Sequence, residues 1–277
     1  MVDLYSRIST INGFTVLTIN FQRTYGLSEE YESIKERANE ALVKYLGYPG
    51  LIAFNDSEKS VTFSSERLIP VASENRPRIM LLFSNPHPHS IHQGMFLSSN
   101  TRGRENLFWP VMEDAGWLPI PKVNRTPKKL ADICLEAKYP GPFELIFYCY
   151  YAFPTDFPED IRKIFGKEYF RQVIETEAVD EFRNSVQETN VEAVVTFNKE
   201  IFNLVSKVRI EHYVDRLLEG ELIQNQINGI DRHVPIFLTF PTGWRYNRNY
   251  MQFRKASLAE IRKAICSGLN VSESTNS

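Results

Sequence analysis

The chain lacks what would commit it to a membrane or to an oxidising compartment. Its longest strongly apolar run, LIFYCYYAF, falls far short of the roughly 20 residues that span a bilayer. MVDLYSRIST has no basic start followed by an apolar stretch, so no signal peptide is expected. Cysteine is scarce: Cys134, Cys149 and Cys266 are odd in number and have no metal-ligand spacing. That excludes a disulfide framework and points to a reduced, cytoplasmic setting. Internal repeats are absent. A net charge of −2 supplies no bulk attraction to nucleic acid.

Acid is also missing locally. No Asp or Glu stands between Asn75 and Arg104, between Trp117 and Ala131, or between Arg232 and Ala259. Those segments carry Arg76, Arg78, Arg102 and Arg104, then Lys122, Arg125, Lys128 and Lys129, then Arg232, Arg245, Arg248, Arg254 and Lys255. Brought together in space they would form a positive face for phosphates; left apart they are ordinary solvated cations.

What is present is a globular composition, 43% hydrophobic and 13% aromatic over 277 residues. That length suits one large domain, or one domain with an appendage. Residues 7–22 read as a hairpin about Asn12-Gly13, and residues 51–70 as a second about Asn55-Asp56. Between them LSEEYESIKERANEALVKYLG reads as a helix with Ser28 as N-cap and Gly47 at its end. This first part, residues 1–74, is expected as an α+β extension, a layer over the domain of residues 75–268. Residues 269–277 read as a disordered tail.

From residue 79 the pattern alternates. Strands are expected at 79–83, 144–151, 191–197 and 234–240, and helices near 105–116, 167–189, 199–207 and 255–267. Short apolar strands separated by helices imply an α/β fold, with a parallel four-stranded central sheet flanked by helices. Ligands of such folds sit beyond the carboxyl ends of the strands. Asn85, Tyr151, Asn198 and Pro241 lie at or just past those ends.

The first of these ends carries the most unusual stretch, SNPHPHSIHQGMFLSS followed by RENLFWPVMEDAG. It resembles the first motif of the uracil-DNA glycosylase superfamily, closest to its Asn-Pro, mismatch-specific type. In that motif a strand ends in a turn with Pro, and a base-stacking Phe follows about a dozen residues later. VEAVVTFNKEIFNLV and PIFLTFPTGWRYNRNYMQFRKASLAEI are similar to later motifs, in order, over roughly residues 76–266.

The resemblance implies hydrolysis of the N-glycosidic bond of uracil or a damaged base in DNA, as in base excision repair. Asn85 would orient the water, Pro86 would rigidify the turn, and Phe96 would stack on a base flipped from the duplex. Ser84, His87, Asn106, Tyr148 and Phe240 would line the substrate site. Arg102, Arg104, Pro241, Thr242, Gly243, Trp244, Arg245 and Arg248 would contact DNA. No metal or other cofactor is expected, and the chain is expected to act as a monomer on DNA with no membrane partner.

Two departures bear on the substrate. The neighbourhood of Tyr148 to Tyr151 has no Asn to read a base edge, and Phe240 stands where the family has His or Asn. Slow chemistry on uracil follows, with a more aromatic pocket suited to another base, to a damaged base, or to silent nucleic-acid binding. His87, His89 and His92 admit a metal-dependent hydrolase as a further alternative, since zinc needs three or four convergent ligands. Trp244, Tyr246, Tyr250 and Phe253, interleaved with arginines, serve either as a core anchor or as a DNA-stacking cluster.

Overall fold

The computed structural model describes residues 4–11, 14–23, 29–71, 76–97, 105–242 and 250–271. Its centre is a mixed sheet of nine strands flanked by helices, an α/β fold. The strands are β1 (Tyr5–Ile11), β2 (Phe14–Asn20), β3 (Ile52–Asn55), β4 (Ser60–Leu68), β5 (Arg78–Phe83), β6 (Glu144–Cys149), β7 (Val191–Thr196), β8 (Ile223–Gln226) and β9 (Pro235–Leu238). They run in the order β1-β2-β4-β6-β5-β7-β9-β8, with β3 also on β4. Five pairings are antiparallel. Three are parallel: β5 with β6, β5 with β7, and β7 with β9.

The N-terminal strands therefore do not lie over a separate sheet, as the sequence suggested. β4 explains why. Its first seven residues pair with β2, and its last two, Arg67 and Leu68, pair with Tyr148 and Phe147 of β6. An open strand edge presents unpaired N–H and C=O groups. Here the end of β4 pairs with part of that edge of β6 and so continues the sheet.

Strands β5, β6 and β7 are buried along nearly their whole length, as strands covered on both faces must be. Alternation along each strand divides the core in two. Met80, Leu82, Ile146, Tyr148 and Val194 face one cluster, which also holds Leu17, Tyr31, Phe63 and Phe182. Ile79, Leu81, Phe83, Phe147 and Val195 face the other, with Phe96, Phe108, Trp109 and Trp117.

The helices are α1 (Tyr31–Ala41), α2 (Pro88–Gln93), α3 (Phe108–Asp114), α4 (Pro127–Leu135), α5 (Pro158–Phe165), α6 (Lys167–Tyr169), α7 (Glu175–Glu188), α8 (Lys199–Ser206), α9 (Tyr213–Leu218) and α10 (Tyr250–Gly268). A π-helical turn, Phe170–Ile174, joins α6 to α7. Helix α1 buries Tyr31, Ile34 and Ala38, one face at helical spacing. It stops before Gly47, and a separate 3-10 turn, Val43–Tyr45, follows. The expected cap Ser28 lies outside the described residues. Beyond α10 the Leu269 and Val271 amides donate back to Ile265 and Cys266. Of the expected tail, only residues 269–271 fall among those described.

Candidate functional site

Strand β5 delivers its last side chain, Phe83, into the core and then turns at Ser84-Asn85-Pro86-His87. The segment after β6 clamps this turn through three backbone bonds: Tyr150 N–H to Phe83 O at 2.9 Å, Tyr151 N–H to Ser84 O at 2.8 Å, and Thr155 N–H to Pro86 O at 3.1 Å. Asn85 is tied into the same clamp. Its Nδ2 donates to Thr155 O at 2.8 Å, Thr155 Oγ1 at 3.0 Å and Pro86 O at 3.3 Å. Its Oδ1 accepts from Ser84 Oγ at 3.0 Å. A carboxamide has two N–H donors and two lone pairs on oxygen. The donors are committed, and one lone pair of the half-buried Oδ1 remains for a water or ligand.

His87 caps a helix, α2, that was not expected from the sequence. Its Nδ1 accepts from His89 N–H at 3.1 Å, Pro88 takes the first helical position, and Gly94 ends α2 with φ of 83°. Pro at the start and Gly in the left-handed region at the end are favoured for backbone reasons. An imidazole in place of the usual Ser or Asp is what hid the start.

With Nδ1 as acceptor, the proton sits on Nε2, which faces Asp156 Oδ1 at 3.3 Å. Burial holds the His87 pKa below its ordinary value against the pull of Asp156. Burial would raise the Asp156 carboxyl, but hydrogen bonds from Lys44 and Tyr45, with His87 beside it, leave it below its ordinary value. The Tyr45 hydroxyl donates to Asp156 at 2.5 Å, and Lys44 closes the cluster with an ion pair. The turn bearing Lys44 and Tyr45 thus reaches the candidate site, which links the N-terminal segment to it.

The other two histidines join the same wall. Tyr48 stacks on His92 with ring centroids 4.0 Å apart, and its hydroxyl shares a 3.3 Å hydrogen bond with His89 Nδ1. The three histidines are thus occupied by capping, hydrogen bonding and stacking. Among the described residues no group of three His, Cys, Asp or Glu could hold a metal ion. The metal-dependent alternative loses its support.

The expected base-binding aromatics are placed differently from the resemblance. Phe96 is buried against Phe83 and Phe147, at centroid distances of 5.6 and 5.7 Å. Tyr148 is fully buried under the Arg67 guanidinium, 4.7 Å from its ring. Phe240 is also fully buried, with Tyr250 beside it at 6.2 Å. None of these rings can meet a base in this arrangement, because each already fills its share of the core. Asn106 lies just before α3, its Oδ1 accepting from Phe108 N–H at 3.0 Å. Trp109 ties the motif loop, its indole donating to Leu97 O at 2.7 Å. Phe108 and Trp109 anchor their helix in the core.

The positive face is likewise reduced. Arg76 donates to backbone oxygens of Tyr139 and Ala137, Arg78 pairs with Glu144, Arg125 with Glu105 and Glu113, and Arg232 with Glu192. Acids absent from the neighbouring sequence are supplied across the fold. Lys122, Lys128 and Lys129 stay exposed, and Arg254 is buried. Pro241 and Thr242 are half-buried past the end of β9. The other expected DNA contacts, Arg102, Arg104, Gly243, Trp244, Arg245 and Arg248, lie outside the described residues.

One group escaped the sequence reading. Glu66 of β4 is 1% exposed. Burial pushes its pKa well above the ordinary carboxyl value, with the nearby His87 backbone opposing. Its Oε1 has no hydrogen-bond partner in the structure. A buried unpartnered carboxyl oxygen costs stability, so it marks functional sites more often than ordinary core. The available signal was an acid inside a strand whose flanking residues alternate inward.

No family model matches the chain, and no curated protein matches it. Among the described residues no helix is long and apolar enough to cross a membrane.

Proposed function

We propose that the chain is a divergent DNA glycosylase of the uracil-DNA glycosylase type, hydrolysing the N-glycosidic bond of uracil or a damaged base. The observation that carries this reading is the Asn-Pro turn at the carboxyl end of β5, between two parallel neighbours. In open α/β sheets that is where ligands bind. Taking β6-β5-β7-β9 as the four-stranded parallel core of that fold is part of the same proposal. In this mechanism the spare lone pair of Asn85 Oδ1 orients the attacking water. An amide cannot take the proton, so the step relies on the oxocarbenium character of the sugar and is slow. DNA is the proposed partner, with Arg102, Arg104, Trp244, Arg245 and Arg248 as its proposed contacts. A cytoplasmic monomer without metal or other cofactor completes the reading.

A second reading is a catalytically silent nucleic-acid binder. It is favoured by the commitment of the Asn85 amide to Thr155 and by the burial of Phe96, Tyr148 and Phe240. The two are separated by incubating the protein with DNA duplexes and single strands carrying uracil or oxidised, alkylated and deaminated bases. Alkaline cleavage then reveals abasic sites. Strand breaks that depend on Asn85 support the glycosylase. Binding with no breaks on any substrate leaves the silent binder.

A further inference from the structure

We infer that Arg254, near the N-terminal end of α10, is the anchor of a binding site for a phosphate group. The inference rests on the glycosylase reading for the source of that group, the backbone of DNA.

The position is an unusual one for a cation. The buried residues of α10 are Arg254, Leu258, Ile261, Ile265 and Cys266, so Arg254 opens an inward stripe at helical spacing. The other four pack in the core with Trp117, whose indole donates to Leu258 O at 2.8 Å. Arg254 itself is 5% exposed, and its Nε is enclosed without a hydrogen-bond partner. Among the described residues its guanidinium has no ion pair or hydrogen bond. Burial lowers its pKa, and no carboxylate acts against that shift. The acid nearest in the fold to its neighbour Lys255 is already taken, as Asp114 pairs with Lys255 at 3.3 Å. A guanidinium keeps its proton in a protein, and a buried cation without a partner is destabilising. The helix macrodipole adds positive potential at the same end, and helical side chains lean toward it. Both features are relieved by an anion, and the planar fork of N–H donors matches phosphate oxygens.

Two contacts place this end of α10 on the sheet. Ser257 Oγ and Thr239 Oγ1 share a hydrogen bond at 2.9 Å, and the Tyr250 ring lies 6.2 Å from that of Phe240. Arg254 stands between Tyr250 and Ser257 on the helix, and so beside the residues just past the carboxyl end of β9. Leu82 of β5, Thr196 of β7 and Leu238 of β9 are in register. The Asn85 turn and the start of α10 therefore share one edge of the sheet, at strand ends two spacings or roughly 10 Å apart. One DNA strand covers that distance, with a phosphate on Arg254 and a sugar at Asn85.

The test uses the full chain, with inorganic phosphate as the first probe. At constant ionic strength the Tm of the wild type should rise as phosphate replaces chloride, because a ligand of the folded state stabilises it. Arg254→Met removes the charge and keeps an apolar stem; it should melt at or above wild type in chloride and respond less to phosphate. An equal phosphate response in the two proteins overturns the site. Should Arg254→Met not fold, the Arg254 Nε–Hε NMR signal of the wild type decides. It should move with added phosphate and not with chloride, and a stationary signal overturns the site. An undamaged DNA duplex is the second probe. Arg254→Met should bind it more weakly, with a log–log salt slope shallower by about 1, and an unchanged slope overturns DNA as the source of the phosphate. Base release is assayed separately in the wild type. Its absence on every lesion fails the glycosylase reading, while the phosphate response still decides the role of Arg254.

Discussion

Replacing Asn85 with Ala separates a tied amide from a free one. In the structure its Nδ2 donates to Thr155 O at 2.8 Å, and no other donor to that oxygen is described. Thr155 Oγ1 keeps its own bond to Phe157 O, and Pro86 O keeps that from Thr155 N–H, so the substitution strands one carbonyl. An unsatisfied carbonyl of this kind costs about 1–3 kcal/mol, toward the lower end where water can reach it. For a chain of this size that amounts to roughly 2–10 °C in Tm. Asn85→Asp should cost more, because a carboxylate oxygen would face the Thr155 carbonyl with no proton between them. Calorimetry and urea titration of the three proteins measure the series. Wild-type stability in both variants would mean the side chain is not held by Thr155. Reasoning from sequence alone, a loop amide contributes little to the core and Asn85→Ala is nearly neutral, so the measurement decides between the two expectations. Loss of base release beyond what the fall in stability explains assigns Asn85 its chemical role.

Three further outcomes are expected. His87 has a lowered pKa in the fold, so the unfolded chain takes up that proton first as pH falls. Stability should therefore decline from about pH 6.5 downward, and His87→Gln should flatten this part of the pH–Tm profile; an unchanged profile refutes the neutral cap. Phe240→His places an imidazole in a fully buried site and is expected to lose about 2–3 kcal/mol by urea titration with no gain in uracil release; a faster single-turnover rate would put Phe240 at the base instead. DNA binding should weaken steeply with salt, and Arg245→Ala with Arg248→Ala should make the log–log slope shallower by about 2; an unchanged slope removes these arginines from the interface.

The alternation of elements from residue 79 onward was legible in the chain before any contact was known. Apolar runs such as IMLLF and VEAVVT state a buried strand through composition alone, and β5 and β7 stand where these runs are. The sequence also marked the β5 turn, because Asn-Pro after an apolar strand leaves the backbone few choices. Tertiary structure decided the rest. Whether β4 lies over the sheet or joins it depends on the free edge of β6, a partner far away in the chain. Whether Arg78 or Arg125 faces a ligand depends on Glu144, Glu105 and Glu113, which the fold brings in from other segments. The aromatic side chains of Phe96, Tyr148 and Phe240 read alike as pocket or core until their neighbours are known, and here the core claims them. Glu66 is the clearest case. An acid in a strand is unremarkable in one dimension, and it acquires meaning only when the sheet buries it with a carboxyl oxygen left without a hydrogen-bond partner. Local pattern specifies which backbone conformation a segment prefers, but burial and hydrogen-bond partnership are properties of pairs, and pairs are made by the fold.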